Sequence, residues 1–185
     1  MAHEYEKVMF GKASRALQER YGSRVQYESM VAEGDGPDCL GERETEFLAE
    51  RDSIYLASVT ADGWPYMQHR GGPKGFLRVL DGKTIAFADF SGNRQYITTG
   101  NLVTDDRVSL FAMDYAGQAR MTIIGHARAV EPGADADLDR AVQMPGYVAN
   151  VERVIVIAVA GFAWHCSKFI TQRWTREEMA AAKLG

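Results

Sequence analysis

Ile54-Tyr-Leu-Ala-Ser-Val-Thr-Ala-Asp-Gly-Trp-Pro-Tyr-Met-Gln-His-Arg70, followed after a glycine-rich link by Phe76-Leu-Arg-Val-Leu-Asp-Gly-Lys-Thr-Ile-Ala-Phe-Ala-Asp89, decides the fold class. Residues 54–60, 65–70, 76–80 and 84–89 are short runs rich in β-branched and aromatic side chains, so each reads as a strand. Asp62-Gly63 and Asp81-Gly82 sit between them as hairpin turns, and Gly71-Gly72-Pro73-Lys74-Gly75 is a loop. Closely spaced antiparallel connections predict a meander that curls into a small barrel. The roughly 30-residue rhythm of a βαβ unit is missing, which disfavours a parallel dinucleotide-binding sheet.

Downstream, Ser91 and the Gly92-Asn93 pair predict a capped helix from about residue 93, stopped by Gly100-Asn101. Taken alone, the string reads first as an ordinary capped helix with a surface arginine; the alternative is a turn that aims backbone N–H groups and a helix dipole at an anion over Gly92 and Asn93, with Arg94 as a planar charged fork. Residues 107–114 and 119–131 follow as strands joined around Tyr115-Ala116-Gly117. In the second, Ala119, Met121, Ile123, Ala127 and Ala129 share one face, and Arg120, Thr122, His126 and Arg128 the other; Gly125 marks a bulge or close approach. Residues 133–140 read as a helix, 151–164 as the longest strand, and Thr175 with Glu178 as the capping box of a final helix.

Upstream, residues 5–21 predict one imperfectly amphipathic helix ended by Gly22, and residues 28–41, with Gly34, Gly36 and Pro37, a loop. A short helix over 43–51 turns Phe47 and Leu48 inward. The organisation expected is an N-terminal helical arm and loop (1–42), a barrel domain (43–174) and a helical tail (175–185).

With 185 residues, 46% of them hydrophobic, the chain can bury one sizeable core. Its net charge of -4 and lack of a Lys/Arg-rich run give no footprint for nucleic acid or an anionic membrane, so an anionic ligand must be held locally. Cys39 and Cys166 form no ligand set with the histidines, and His69, His126 and His165 lie on separate elements, so no metal site is expected. Cys166, next to His165, could be an activated thiol, but the apolar run before it favours a buried structural cysteine whose pKa burial would raise. No signal-peptide core occurs in residues 1–20 and no apolar run is long enough to span a bilayer; a cytoplasmic protein is expected.

Taken together, the blocks Gly63-Trp64-Pro65-Tyr66-Met67-Gln68-His69-Arg70-Gly71-Gly72-Pro73, Gly75-Phe76-Leu77, Phe87-Ala88-Asp89-Phe90-Ser91-Gly92-Asn93-Arg94-Gln95-Tyr96 and Gly100-Asn101-Leu102 resemble the pyridoxamine 5′-phosphate oxidase-like, FMN-binding split-barrel family. Gly125-His126-Ala127-Arg128 and Trp164-His165-Cys166-Ser167-Lys168 extend the likeness, which covers roughly residues 45–174.

The resemblance implies a mainly β protein with flanking helices, a six-stranded antiparallel split barrel, and a homodimer binding FMN between protomers. It implies cofactor contacts at Gln68, His69, Arg70 and Gly71, at Phe87, Ala88 and Asp89, at the phosphate-side Asn93 and Arg94, at Arg120, and at Gln172 and Trp174 reaching across the dimer. Where the biosynthetic oxidase carries Ser-Arg-Lys, this chain has Gly92-Asn93-Arg94. Its Arg-Leu-His-Asp-Arg substrate motif is also missing, replaced by Gln172-Arg173-Trp174-Thr175-Arg176, so vitamin B6 oxidation is not expected. The reading is an FMN-dependent oxidoreductase acting on a small-molecule substrate or reductant; the alternative is a non-catalytic module holding a flavin, haem or deazaflavin.

Overall fold

The computed structural model describes residues 4–32 and 37–182. Its strands are β1 (Ser53–Val59), β2 (Pro65–Gly71), β3 (Arg78–Asp81), β4 (Thr84–Phe90), β5 (Arg107–Asp114), β6 (Ala119–Val130) and β7 (Val151–His165). Its helices are α1 (Glu4–Met9), α2 (Lys12–Tyr21), α3 (Arg24–Ala32), α4 (Glu42–Ala49), α5 (Ile97–Thr104), α6 (Ala136–Ala141) and α7 (Arg176–Ala182).

All seven strands form one antiparallel sheet in the order β2-β1-β5-β6-β7-β4-β3. The count is seven rather than the family-derived six because the short β3 adds to the outer edge of β4, as the hairpin signal at Asp81-Gly82 implied. Although β1, β5, β6 and β7 lie between β2 and β4 in that order, the Arg70 guanidinium of β2 reaches the Asp89 carboxylate of β4 at 2.5 Å. The sheet therefore curls until its two ends approach, with β2 and β3 unpaired to each other: a split barrel.

Alternation along the strands fills the inside. Ile54 and Leu56, Leu110 and Ala112, Met121 and Ile123, and Ile155 and Ile157 are buried there, and Leu48 of α4 joins the same cluster. Each Leu, Ile or Met among them contributes about 1.5–3 kcal/mol relative to exposure. A second cluster forms on the outer face, where Leu138 and Val142 at α6 cover Ala86, Ala88, Val154 and Val156. This two-sided burial is why residues 84–89 read as a continuous apolar run rather than an alternating one. On β6, Gly125 sits at the register shift against β7, where a Cβ would lie 2.3 Å from the Ala158 carbonyl oxygen. Past that bulge Ala129 is exposed, unlike its predicted face-mates, and Val130 is buried in the outer cluster.

The arm departs from its predicted form. Residues 5–21 make two helices, because Gly11 is extended (φ -67°, ψ 172°) and begins α2 afresh. The break frees α1 to dock on β7: the buried Asp38 carboxylate accepts from the Glu4, Tyr5 and Phe162 main-chain N–H groups at 3.1–3.3 Å. Part of the predicted 28–41 loop is helical as α3, while Gly34 and Gly36 lie outside the described residues. At the other end, Thr175 and Glu178 form the predicted reciprocal cap of α7.

Candidate functional site

Where the curled sheet brings β2 and β4 together, the end of β2, the end of β4, the turn before α5 and the start of β7 enclose a small cleft. Gln68 and Arg70 face it because they alternate with the outward His69. At its centre Asp89, 4% exposed, accepts from Arg70 Nη1 at 2.5 Å on one oxygen and from Arg153 Nη1 at 2.8 Å on the other. Arg153 also reaches Glu152 at 3.2 Å. Glu152 accepts in addition from the Ser91 hydroxyl at 3.0 Å and the Tyr96 hydroxyl at 3.4 Å, and Arg94 Nε donates to Tyr96 at 3.1 Å.

Three guanidinium groups against two carboxylates leave the cleft one positive charge in excess. Asp89 fixes two of those forks in place. Arg70 Nε is buried and has no hydrogen-bond partner among the described residues, so the cleft holds a donor for a further acceptor.

The turn over this cleft is not the one the sequence predicted. Ser91 bonds Glu152 instead of capping a helix, and Asn93 Oδ1 accepts from the Gln95 N–H at 3.2 Å. α5 begins only at Ile97, after Arg94 (φ 58°) and Tyr96 (φ 55°), both left-handed. Such conformations cost of order 1–3 kcal/mol each and persist where surroundings impose them. Here the imposition comes from α5 itself: Asn101 Nδ2 donates to Ser58 at 2.9 Å and Thr98 to Gln68 at 3.3 Å, so Gly100 and Asn101 lie inside the helix instead of ending it. Asn93 is therefore not at a helix N-terminus, and charge at this cleft comes from arginine forks. Glu152 and Arg153 escaped the sequence reading because they open a strand recognised by the apolar run that follows them.

Comparison with known proteins matches residues 40–160, well over half of the chain, to the family model described as pyridoxamine 5′-phosphate oxidase. The chain belongs to the pyridoxamine 5′-phosphate oxidase family. No curated protein matches it. Among solved structures it is similar to a putative pyridoxamine 5′-phosphate oxidase from Lactobacillus delbrueckii (19% identity, 68% of this chain and 94% of that one, TM-score 0.52). It is also similar to HupZ of Group A Streptococcus (17%, 66% and 91%, 0.52) and to an FMN-binding protein from Syntrophomonas wolfei (12%, 80% and 97%, 0.50). At these identities the likeness is one of fold.

Of the positions to which the family resemblance pointed, Gln68, Arg70, Asp89, Asn93 and Arg94 come together in the cleft. His69 is exposed on the opposite face of β2, edge-on to Tyr55 at 5.9 Å. Gly71 ends that strand, paired with Ser53. Phe87 is in the core against Phe76, and Ala88 lies under α6, so neither lines the cleft.

Arg120, Gln172 and Trp174 lie elsewhere in this family member. Arg120 pairs in register with His165, at the far end of β7 from Arg153, on the order of 40 Å along the strand. Its Nε donates to the Cys166 carbonyl at 3.0 Å, Gln172 donates to the Ala116 carbonyl at 2.8 Å, and Trp174 is half exposed. Cys166 itself is exposed, not buried: the Lys168 main-chain N–H and then the Arg120 guanidinium lower its thiol pKa, where burial was expected to raise it. Among the described residues no three His, Cys, Asp or Glu side chains are grouped to hold a metal, and no helix is long and apolar enough to cross a membrane.

Proposed function

We propose that this chain is an FMN-dependent oxidoreductase working as a homodimer, with the flavin phosphate held at the Arg70–Asp89–Arg94 cleft. The observation that carries the reading is the excess positive charge of that cleft together with the unpartnered buried Arg70 Nε. Its support is membership of the pyridoxamine 5′-phosphate oxidase family, and a fold shared with a protein described as FMN-binding. Bound flavin would supply hydride or electron transfer. The chain's own part is to bind and orient: Asp89 holds Arg70 and Arg153 in fixed directions, and Arg94, exposed beside Tyr96, is free to exchange that hydroxyl for a phosphate oxygen. The alternative is a non-catalytic module that binds flavin without turning it over.

Purified protein should carry flavin absorption that NADH or NADPH bleaches anaerobically; bound flavin that neither reduces would favour the module. Arg94→Ala tests the anion site. A charge-assisted contact contributes about 1.5–3 kcal/mol, so FMN affinity should fall about tenfold to a hundredfold while riboflavin, which has the same ring without phosphate, is unaffected. Fluorescence titration of both ligands reads this directly. Equal losses, or none, would move the phosphate away from Arg94.

A further inference from the structure

Glu152 lies outside the sequence blocks that carry the family resemblance, yet it stands in the Asp89 cleft with its side chain 17% exposed. Asp89 spends both carboxylate oxygens on Arg70 and Arg153, which fixes it. Glu152 is placed differently. Its Oε2 accepts from Arg153 Nη2 at 3.2 Å, and its Oε1 faces two hydroxyls, Ser91 at 3.0 Å and Tyr96 at 3.4 Å. The Tyr96 hydroxyl in turn accepts from Arg94 Nε at 3.1 Å. A single O–H group therefore stands between a guanidinium and a carboxylate, accepting from the first and donating to the second.

This arrangement restricts what can take the place of that hydroxyl. An oxygen beside Arg94 must accept from the guanidinium and, unless two anionic oxygens are to face each other in a partly buried site, must donate to Glu152. A phosphate monoester exists in two forms that differ in this respect. With one negative charge it keeps a P–O–H group; with two it has acceptors only, and the forms interchange near pH 6. The charge count agrees. Three guanidinium groups against two carboxylates are neutralised by one negative charge, whereas a second leaves the cleft with an anion in excess. The charged groups around Glu152 are Arg153 beside it on β7, Arg70 of β2, Asp89 of β4, and Arg94 behind Tyr96. No histidine is among the described residues that line the cleft, so the phosphate is the group that changes charge there near neutrality.

We propose that Glu152 is the residue that sets the charge this cleft accepts, selecting a phosphate ester with one negative charge and an O–H that donates to the Glu152 carboxylate over the same ester as a dianion. The inference rests on the reading of this cleft as the flavin-phosphate site and adds its specificity determinant.

The test is fluorescence titration of FMN, with riboflavin as the phosphate-free control, into the full-length apo wild type and apo Glu152→Gln at pH 8 and pH 5.5. In the wild type the preference for FMN over riboflavin should rise about tenfold to a hundredfold as pH falls, the span open to a ligand that protonates near pH 6 and binds in its protonated form. Glutamine keeps an acceptor for Ser91 and Arg153 but carries no charge and offers N–H donors. Glu152→Gln should therefore tighten FMN at pH 8 by about tenfold or more, leave riboflavin unchanged, and show no further rise towards pH 5.5. The wild-type profile needs no substitution, so it decides even where a variant disturbs the fold. An FMN preference of the same size at both pH values in the wild type, or a rise that survives Glu152→Gln, overturns the proposal and leaves the phosphate reading standing. FMN and riboflavin bound equally at both pH values overturn the two together.

Discussion

Asp89 shows how one side chain can serve fold and site together. Its carboxylate is the link that ties β2 to β4 and β7, and the Arg70 and Arg153 side chains on either side are themselves only 15% and 13% exposed. A carboxylate removed from between two buried cations leaves both uncompensated, and breaking a buried pair in this way costs about 3–5 kcal/mol. Asp89→Ala should therefore lose that much stability in urea denaturation, far beyond the effect of an ordinary surface substitution. His165 gives a second prediction. Burial, then Arg120, lowers its pKa below the ordinary 6.5, while Thr122 bonds its Nε2 at 2.7 Å. The unfolded chain takes up the proton more readily, so the stability held in the neutral ring is complete above about 6.5 and is lost as pH falls through the lower folded value. Between about pH 7.5 and pH 5 the wild-type Tm should drop further than that of His165→Gln; parallel profiles would show that the ring is not held neutral.

At the scale of elements, the arm depends on a close approach more than on its own amphipathicity. α2 buries no residue, so what keeps the N-terminus on the barrel is α1 against β7. Gly161 permits it: a Cβ there would lie 2.7 Å from the Tyr5 nitrogen and 2.9 Å from an Asp38 oxygen, both parts of the docking contact. Gly161→Ala should cost about 1–3 kcal/mol and loosen the arm before the barrel. Limited trypsin digestion should then cut faster around Arg15, Arg20 and Arg24 with the barrel fragment intact; an unchanged cleavage pattern would mean that the docking tolerates the methyl group.

For the whole molecule the question is what covers its exposed apolar groups. Val148 and Phe169 are fully exposed, Trp64 is 73% exposed and Trp174 half exposed, apolar groups that a partner surface would cover. Arg120, Gln172 and Trp174 lie at the far end of β7 from the Arg94 cleft, so a second copy is the arrangement that would bring them to a shared flavin. We expect light scattering at micromolar concentration to give twice the 20.5 kDa chain mass with two equivalent flavin sites. A flavin-loaded monomer would overturn this.

Sequence alone determined what short-range physics fixes. Short β-branched and aromatic runs, the Asp-Gly turns and the Thr175–Glu178 box are each set by residues within a few positions of one another, and the structure carries them all. Tertiary structure decided the rest, because the groups responsible are far apart along the chain. α5 starts at Ile97, against its own Ser91 and Gly100 signals, since Asn101 is anchored to Ser58 forty-three residues away. Glu152 and Arg153 enter the cleft only because the sheet curls and β7 pairs with β4. Arg70 becomes a buried, half-satisfied fork for the same reason: a barrel closes contacts between strand ends that no local pattern encodes.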